Sequence, residues 1–81
     1  MNRGNRPTRF SNIDSLITSG GDVTIGRIGP VGCGATAADE DQSLAILARR
    51  PEESLAELLD RLDRAIVKAG DEGDYIDEVN E

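Results

Sequence analysis

The sequence contains no histidine and a single cysteine, Cys33, among its 81 residues. The absence of histidine removes the most common general base, the usual partner of a nucleophilic serine or cysteine, and the most common metal ligand. A single cysteine excludes an intramolecular disulfide and a zinc site built from several thiolates. The composition therefore argues against an enzyme, and we expect no catalytic residues, no metal site and no cofactor.

Aromatic side chains and long apolar runs are also scarce. Phe10 and Tyr75 are the only aromatic residues, so the core must consist of Leu, Ile, Val and Ala. A chain of this length buries only ~60% of the surface that it exposes when unfolded, which predicts one small domain with a thin core. No apolar run approaches the ~20 residues of a membrane-spanning helix and no signal peptide is recognisable. We therefore expect a cytoplasmic protein that does not enter a membrane.

Positively charged residues are fewer than negatively charged ones. The chain contains nine Lys and Arg residues and sixteen Asp and Glu residues, which gives a formal net charge of −7. The two ends of the chain differ in sign. Residues 1–9 contain Arg3, Arg6 and Arg9 and no acid, whereas residues 70–81 contain six acids and no base. A chain this acidic lacks a general basic surface, so direct nucleic-acid binding is not expected. The three arginines alone predict only weak, salt-sensitive contacts with phosphates.

The strongest pattern lies in residues 51–69 and predicts one amphipathic helix. Apolar residues recur there at 4-3-4-3 spacing, which places them on one face, with Leu58 and Ala65 widening the stripe: Leu55, Leu59, Leu62, Ile66 and Ala69. Pro51 suits the first helical position, whereas Ser54 with Glu57 offers a capping box one turn later, so two starting points are open. Gly70 is expected to end the helix.

The middle of the chain predicts strands and turns. Residues 22–28 alternate and are rich in β-branched side chains, which favours a strand. Residues 29–32 (GPVG) predict a tight turn, and residues 33–37 a returning strand. Residues 43–49 are ambiguous, because their Ala and Leu content favours a helix whereas their short length before Pro51 favours a strand. We prefer the strand.

The predicted fold is a small α+β domain in which a two- or three-stranded antiparallel sheet packs against one C-terminal amphipathic helix. The alternative is a helical hairpin of residues 39–50 and 51–69, dimerised through the leucine stripe. The chain is predicted to have three parts: a flexible basic N-terminal arm at residues 1–21, with a helical turn open within residues 10–17; the domain at residues 22–69; and an acidic C-terminal tail at residues 70–81.

The glycine-rich residues 29–36 resemble two nucleotide-binding motifs but lack a required residue of each. Ala35 stands where a phosphate loop requires lysine, and Arg27 stands where the first glycine of a dinucleotide fingerprint is needed. We interpret the stretch as a hairpin turn. The acidic residues 39–41 do not match the spacing of a calcium loop. Cys33 has no base to activate it and is interpreted as a packing residue.

Two resemblances add to this interpretation. Residues 41–66 (DQSLAILARRPEESLAELLDRLDRAI), followed by DEVN at residues 77–80, resemble a group of small acidic proteins of proteobacteria that are common on plasmids, phages and genomic islands. The resemblance covers roughly the C-terminal half, implies a mobile-element setting and carries no catalytic residue. Residues 53–57 (ESLAE) are similar to the helix start of HicB-type antitoxins, in which a small antiparallel sheet precedes the helix. The second resemblance implies an antitoxin or regulator as an alternative function.

Charge, size and the mobile-element resemblance predict a non-enzymatic acidic module that binds a basic surface of a protein partner, for example an anti-CRISPR-like inhibitor of a nucleic-acid-handling complex. A structural homodimer is a further alternative. The predicted partner-binding residues lie on the polar helix face and in the tail: Glu57, Asp60, Asp63, Asp71, Glu72, Asp74, Asp77 and Glu78. Because the first three lie opposite the leucine stripe, their replacement by alanine is expected to leave the fold nearly intact.

Overall fold

The computed structural model describes residues 9–28 and 32–79. In chain order its elements are α1 (Ser11–Thr18), β1 (Asp22–Arg27), β2 (Cys33–Ala38), β3 (Ser43–Ala48), α2 (Leu55–Glu72) and β4 (Ile76–Asp77). The strands form one sheet in the order β1-β2-β3-β4, antiparallel except that β4 runs parallel to β3. The predicted α+β class is confirmed, but the sheet is mixed and has four strands in the described residues. Of the turn predicted at residues 29–32, only Gly32 lies within those residues.

Alternation along β2 and β3 produces the sheet face on which α2 packs. Ala35 lies opposite Leu47, and Ala37 lies opposite Ala45. Successive side chains of a strand point to opposite faces, and all four of these residues are buried. Three of these side chains are the small methyl groups of alanine, so the helix can pack close to the strands.

The helix contributes Leu58, Leu62 and Ala65 to the core, and each exposes 2% of its surface or less. The centre of the apolar stripe is therefore shifted from the predicted one, in which Leu58 and Ala65 lay at the margin. Leu55, the first member of the predicted stripe, is 44% exposed. Neither described helix has the length and apolar character needed to cross a membrane.

The start of α2 is set by a capping box. The Ser54 hydroxyl accepts a hydrogen bond from the backbone N–H of Glu57 at 3.1 Å, and the Glu57 carboxylate accepts one from the N–H of Ser54 at 2.8 Å. Pro51 lies in the turn before the helix. Of the two starting points that the sequence left open, the capping box is confirmed, because it satisfies helical N–H groups that a start at Pro51 leaves unpaired.

The end of α2 lies one turn beyond the predicted stop. The helix continues through Gly70 and ends at Glu72, before Gly73, whose φ of 72° is left-handed. The Gly73 N–H donates to the Ala69 carbonyl at 3.1 Å. The prediction of Gly70 as the stop was wrong because a second glycine three residues later closes the helix with the left-handed geometry typical of such ends.

The ambiguous residues 43–49 form β3, as preferred. This strand lies between β2 and β4, which explains its nearly continuous apolar sequence. The helical-hairpin alternative is therefore wrong. Its first helix would require residues 39–50 to be helical, and half of them form the third strand of the sheet.

The N-terminal segment contains a full helix rather than a single turn. Helix α1 contacts α2, and its Ile13 and Leu16 pack against the core although no α1 residue is fully buried. Residues 9–21, which the sequence assigned to a flexible arm, therefore lie against the domain. Residues 1–8, with Arg3 and Arg6, lie outside the described residues.

Candidate functional site

Asp60, predicted to face a partner, forms an ion pair within the chain. Its Oδ2 atom lies 2.8 Å from Nη2 of Arg9. This contact lowers the pKa of the Asp60 carboxyl and raises the pKa of Arg9, in each case chiefly through the hydrogen bond between the two side chains. The arginine side chain is 60% exposed, so the pair contributes little stability.

Asp63 lies in α2 and forms hydrogen bonds with the beginning of α1. Its Oδ1 atom accepts hydrogen bonds from the backbone N–H groups of Asn12 and Ile13, both at 2.9 Å, and its Oδ2 atom accepts one from the Asn12 amide at 2.8 Å. Phe10, at the N-cap position of α1, makes no side-chain capping bond. Asp63 therefore acts as an N-cap supplied by another helix, and its negative charge complements the positive end of α1. Asp63 thus has three hydrogen bonds within the fold, and its role in partner binding stays a prediction.

Arg61 connects three parts of the chain. Its guanidinium binds both Glu53 oxygens, at 2.6 and 2.9 Å, and the Glu78 carboxylate at 2.9 Å, and it donates to the Ala48 carbonyl at 2.8 Å. The Arg61 and Glu53 side chains are 14% and 7% exposed. The hydrogen bonds from Arg61 are the main reason that the pKa of Glu53 falls to about 2, and nearby Arg50 contributes further. Two-point recognition of a carboxylate by arginine fixes orientation as well as charge.

Two predicted tail residues also have contacts within the fold. Glu78 accepts a hydrogen bond from the Ala48 N–H at 3.0 Å as well as binding Arg61. Asp77 lies in β4 and accepts bonds from the Val79 N–H at 2.9 Å and the Tyr75 hydroxyl at 3.2 Å. The C-terminal segment is thus part of the domain as far as residue 79, the last described residue.

The remaining predicted residues, Asp71, Glu72 and Asp74, are exposed, and their side chains make no hydrogen bond or ion pair with any other described residue. They lie at the C-terminal end of α2. Of the eight residues predicted to bind a partner, these three remain fully available. Glu57 is exposed but serves in the capping box.

Three chain segments meet at this end of the molecule. The β2–β3 turn and the end of α2 line one cleft of about 510 Å³, to which both Asp39 and Asp71 contribute. The Glu40 carboxylate covers the α1–β1 turn, where a Cβ atom placed on Gly20 would lie 2.8 Å from it. Asp22 begins β1 opposite Ala38. Together these segments carry seven carboxylates and no Lys or Arg, and we call them the acidic end: Asp22, Asp39, Glu40, Asp41, Asp71, Glu72 and Asp74.

The backbone adds negative potential to the acidic end. Both α1 and α2 finish there, and a helix C-terminus carries about half an elementary negative charge. The last turn of α2 contains no basic residue, so Asp71 and Glu72 each oppose the helix dipole at about 0.3–1 kcal/mol. These acids therefore reduce the stability of the isolated chain, whereas a bound cation would reverse the effect.

The sequence predicted part of the acidic end and missed the rest. It singled out Asp71, Glu72 and Asp74 from the charge of the tail, but interpreted residues 39–41 as a solvated acidic turn and gave Asp22 no role. Their meeting depends on the hairpin of β2 and β3 returning the turn to the end of α2. No linear pattern of the sequence encodes that distance.

Other chemistry is sparse in the described part of the chain. No group of three or more Cys, Asp or Glu residues there is arranged to hold a metal ion. Cys33 is half-buried, with its sulfur 3.9 Å from the guanidinium of Arg49. Comparison of the chain with protein-family models, curated proteins and solved structures gave no match.

Proposed function

We propose that this chain is a non-enzymatic, cytoplasmic protein-binding module that uses its acidic end to bind a basic surface of a partner protein. The observation that supports this function best is the position of seven carboxylates, from three chain segments, at one end of the described structure, where none of them forms an ion pair. Asp71, Glu72 and Asp74 form the centre of the proposed surface. The other five predicted residues support the fold and contribute to binding only through their charge.

The charge distribution suits recognition by attraction at a distance. Clustered charge of one sign raises association rates and favours partners of the opposite sign. The Debye length is ~10 Å at 0.1 M salt, so binding through the acidic end should weaken as salt is added. An uncharged groove would not show this dependence.

The resemblance to small acidic proteins of mobile elements suggests a particular kind of partner. Acidic side chains can occupy a channel whose basic residues hold nucleic acid. An anti-CRISPR-like inhibitor of a nucleic-acid-handling complex is therefore the specific form of the proposal. In that form, the protein and nucleic acid compete for one basic surface.

Two variants of equal charge test the proposal. Asp71→Asn/Glu72→Gln removes two carboxylates from the centre of the acidic end, whereas the control Asp14→Asn/Glu52→Gln removes two exposed acids elsewhere. Each variant changes the net charge from −7 to −5.

Tagged wild type and both variants are used to capture proteins from a bacterial lysate at increasing salt, with quantitative mass spectrometry as the readout. We expect a partner that the wild type and the control retain, that salt releases, and that the acidic-end variant recovers at least about tenfold less. Equal recovery by the two variants, or no salt-sensitive partner, would contradict the proposal.

A second candidate is an antitoxin or regulator, favoured by the observation that three antiparallel strands precede α2. This function would depend on the arginines of residues 1–9 rather than on the acidic end. Deleting residues 1–9 should then abolish binding to the operator beside a toxin gene, whereas the acidic-end variant should bind it normally.

A further inference from the structure

A second charged feature, of opposite sign, lies between α2, β4 and the segment that joins β3 to α2. A cleft of about 230 Å³ opens there over an apolar floor of Leu47, Ala65 and Ile76. Leu47 and Ala65 are each 2% exposed, so the floor is the surface of the core itself. Its walls carry four cations and one carboxylate, and we call it the basic cleft: Arg50, Arg61, Arg64, Lys68 and Glu78.

Three of these four cations form no direct ion pair with a described residue. The described residues form three ion pairs, and none of them includes Arg50, Arg64 or Lys68. Arg61 is the exception, since it binds both Glu53 and Glu78. Arg50 and Arg64 nevertheless lie close enough to Glu53 and Asp60, respectively, to lower the pKa of those carboxyls, so their charge is partly balanced without a direct ion pair.

The cleft already contains one contact of the kind that an anionic ligand would make. The Glu78 carboxylate lies 2.9 Å from the guanidinium of Arg61 at its edge. A ligand that used the remaining cations would place its anionic group among Arg50, Arg64 and Lys68 and its apolar part on the floor. The volume is below the ~300–1,000 Å³ of common ligand pockets, which limits the ligand to a small molecule.

We propose that the basic cleft binds a small organic dianion, namely a phosphate monoester or a dicarboxylate with a short apolar body. Arg50, Arg64 and Lys68 would hold the charged group. The apolar body would cover the exposed part of Ile76, above Leu47. This site does not depend on the acidic end and would function whether or not that end binds a protein.

Nuclear magnetic resonance titration of the full chain tests the proposal with four probes: inorganic phosphate, phenyl phosphate, phthalate and phenol. We expect saturable shifts of the Leu47 and Ile76 methyl groups with phenyl phosphate or phthalate, and whichever binds tighter identifies the source of the charge. Inorganic phosphate should bind roughly tenfold more weakly, because it has no apolar body to cover the exposed part of Ile76. Phenol, which lacks the charge, should produce no saturable shift.

Two variants of equal charge separate a site from general attraction. Arg64→Gln/Lys68→Gln alters the cleft, whereas the control Arg9→Gln/Arg27→Gln removes two exposed cations elsewhere, and each changes the net charge from −7 to −9. The cleft variant should bind at least about tenfold more weakly than the wild type and the control less than about twofold.

Equal weakening in both variants would overturn the proposal. The absence of saturation in the wild type below about 10 mM of either organic dianion, or shifts centred outside the cleft, would also overturn it. The wild-type shift map needs no mutation, so a variant that fails to fold does not prevent the test.

Discussion

Replacing Asp63 by alanine should destabilise the protein by about 2 kcal/mol, although the residue lies on the polar side of α2. The Asp63 carboxylate caps the first turn of α1 with three hydrogen bonds. Loss of an N-cap acceptor costs about 0.5–2 kcal/mol. Loss of a negative charge at a helix N-terminus costs about 0.3–1 kcal/mol more.

Two controls separate the cap from the loss of charge. Asp60→Ala removes an acid one turn earlier on the same helix, but its partner Arg9 is exposed, so we expect little loss of stability. Asp63→Asn keeps one acceptor oxygen and loses the charge. Its stability should therefore fall between that of the wild type and that of Asp63→Ala.

Urea denaturation followed by circular dichroism gives the free energy of unfolding, and amide hydrogen exchange at Asn12 and Ile13 reports on α1 directly. We expect both amides to lose protection in Asp63→Ala, even if α1 detaches while the sheet remains folded. The reasoning is refuted if Asp63→Ala and Asp60→Ala have equal stability and unchanged exchange at these two amides. The cap would then contribute nothing.

Three further perturbations test the core, the helix end and the buried ion pair. Leu58→Ala, which truncates a fully buried side chain, should lower the free energy of unfolding in urea by about 2–5 kcal/mol. Gly73→Ala, at a φ of 72°, should lower it by about 1 kcal/mol in the same assay, and no loss would show that the left-handed stop is dispensable. Glu53 titrates near 2 when folded rather than at its ordinary value of 4.5, so its stabilisation is complete above about pH 4.5 and lost as pH falls towards 2. Acid titration of the unfolding free energy should therefore show a smaller loss in Glu53→Gln than in the wild type, and equal losses would count against the pair with Arg61.

The elements that could be predicted from the sequence are those fixed by local rules. The apolar period of residues 51–69 predicted α2, and the Ser54 and Glu57 pair gave its start, because periodicity and capping depend on residues a few positions apart. The short apolar length before Pro51 predicted β3 correctly. The helical end was missed because Gly70 and Gly73 are both suitable residues, and only the packing of the last turn selects between them.

Contacts between distant segments could not be predicted in the same way. Asp63 looks like any exposed acid of an amphipathic helix until α1 places two backbone N–H groups beside it. Arg61 has the same appearance, and its contacts with Glu53 and Glu78 arise only after the chain returns to the sheet. In both cases the predicted polar face was partly a surface for intramolecular packing, which shifts the candidate site towards the end of the helix.

At Ala48, side chains rather than a neighbouring strand pair with the backbone of β3 on the side of the sheet where β4 lies. In an ordinary ladder, a neighbouring strand would accept the N–H and donate to the C=O of this residue. Here the Glu78 carboxylate accepts the N–H and the Arg61 guanidinium donates to the C=O. The ion pair therefore takes the place of the strand residue that would pair with Ala48 if β4 were longer. An edge closed in this way cannot recruit a strand from another molecule while the pair is intact. Its protection against aggregation consequently depends on the Glu78 and Arg61 side chains, and loss of the residues from Glu78 onwards would leave this part of β3 open to pairing with another strand.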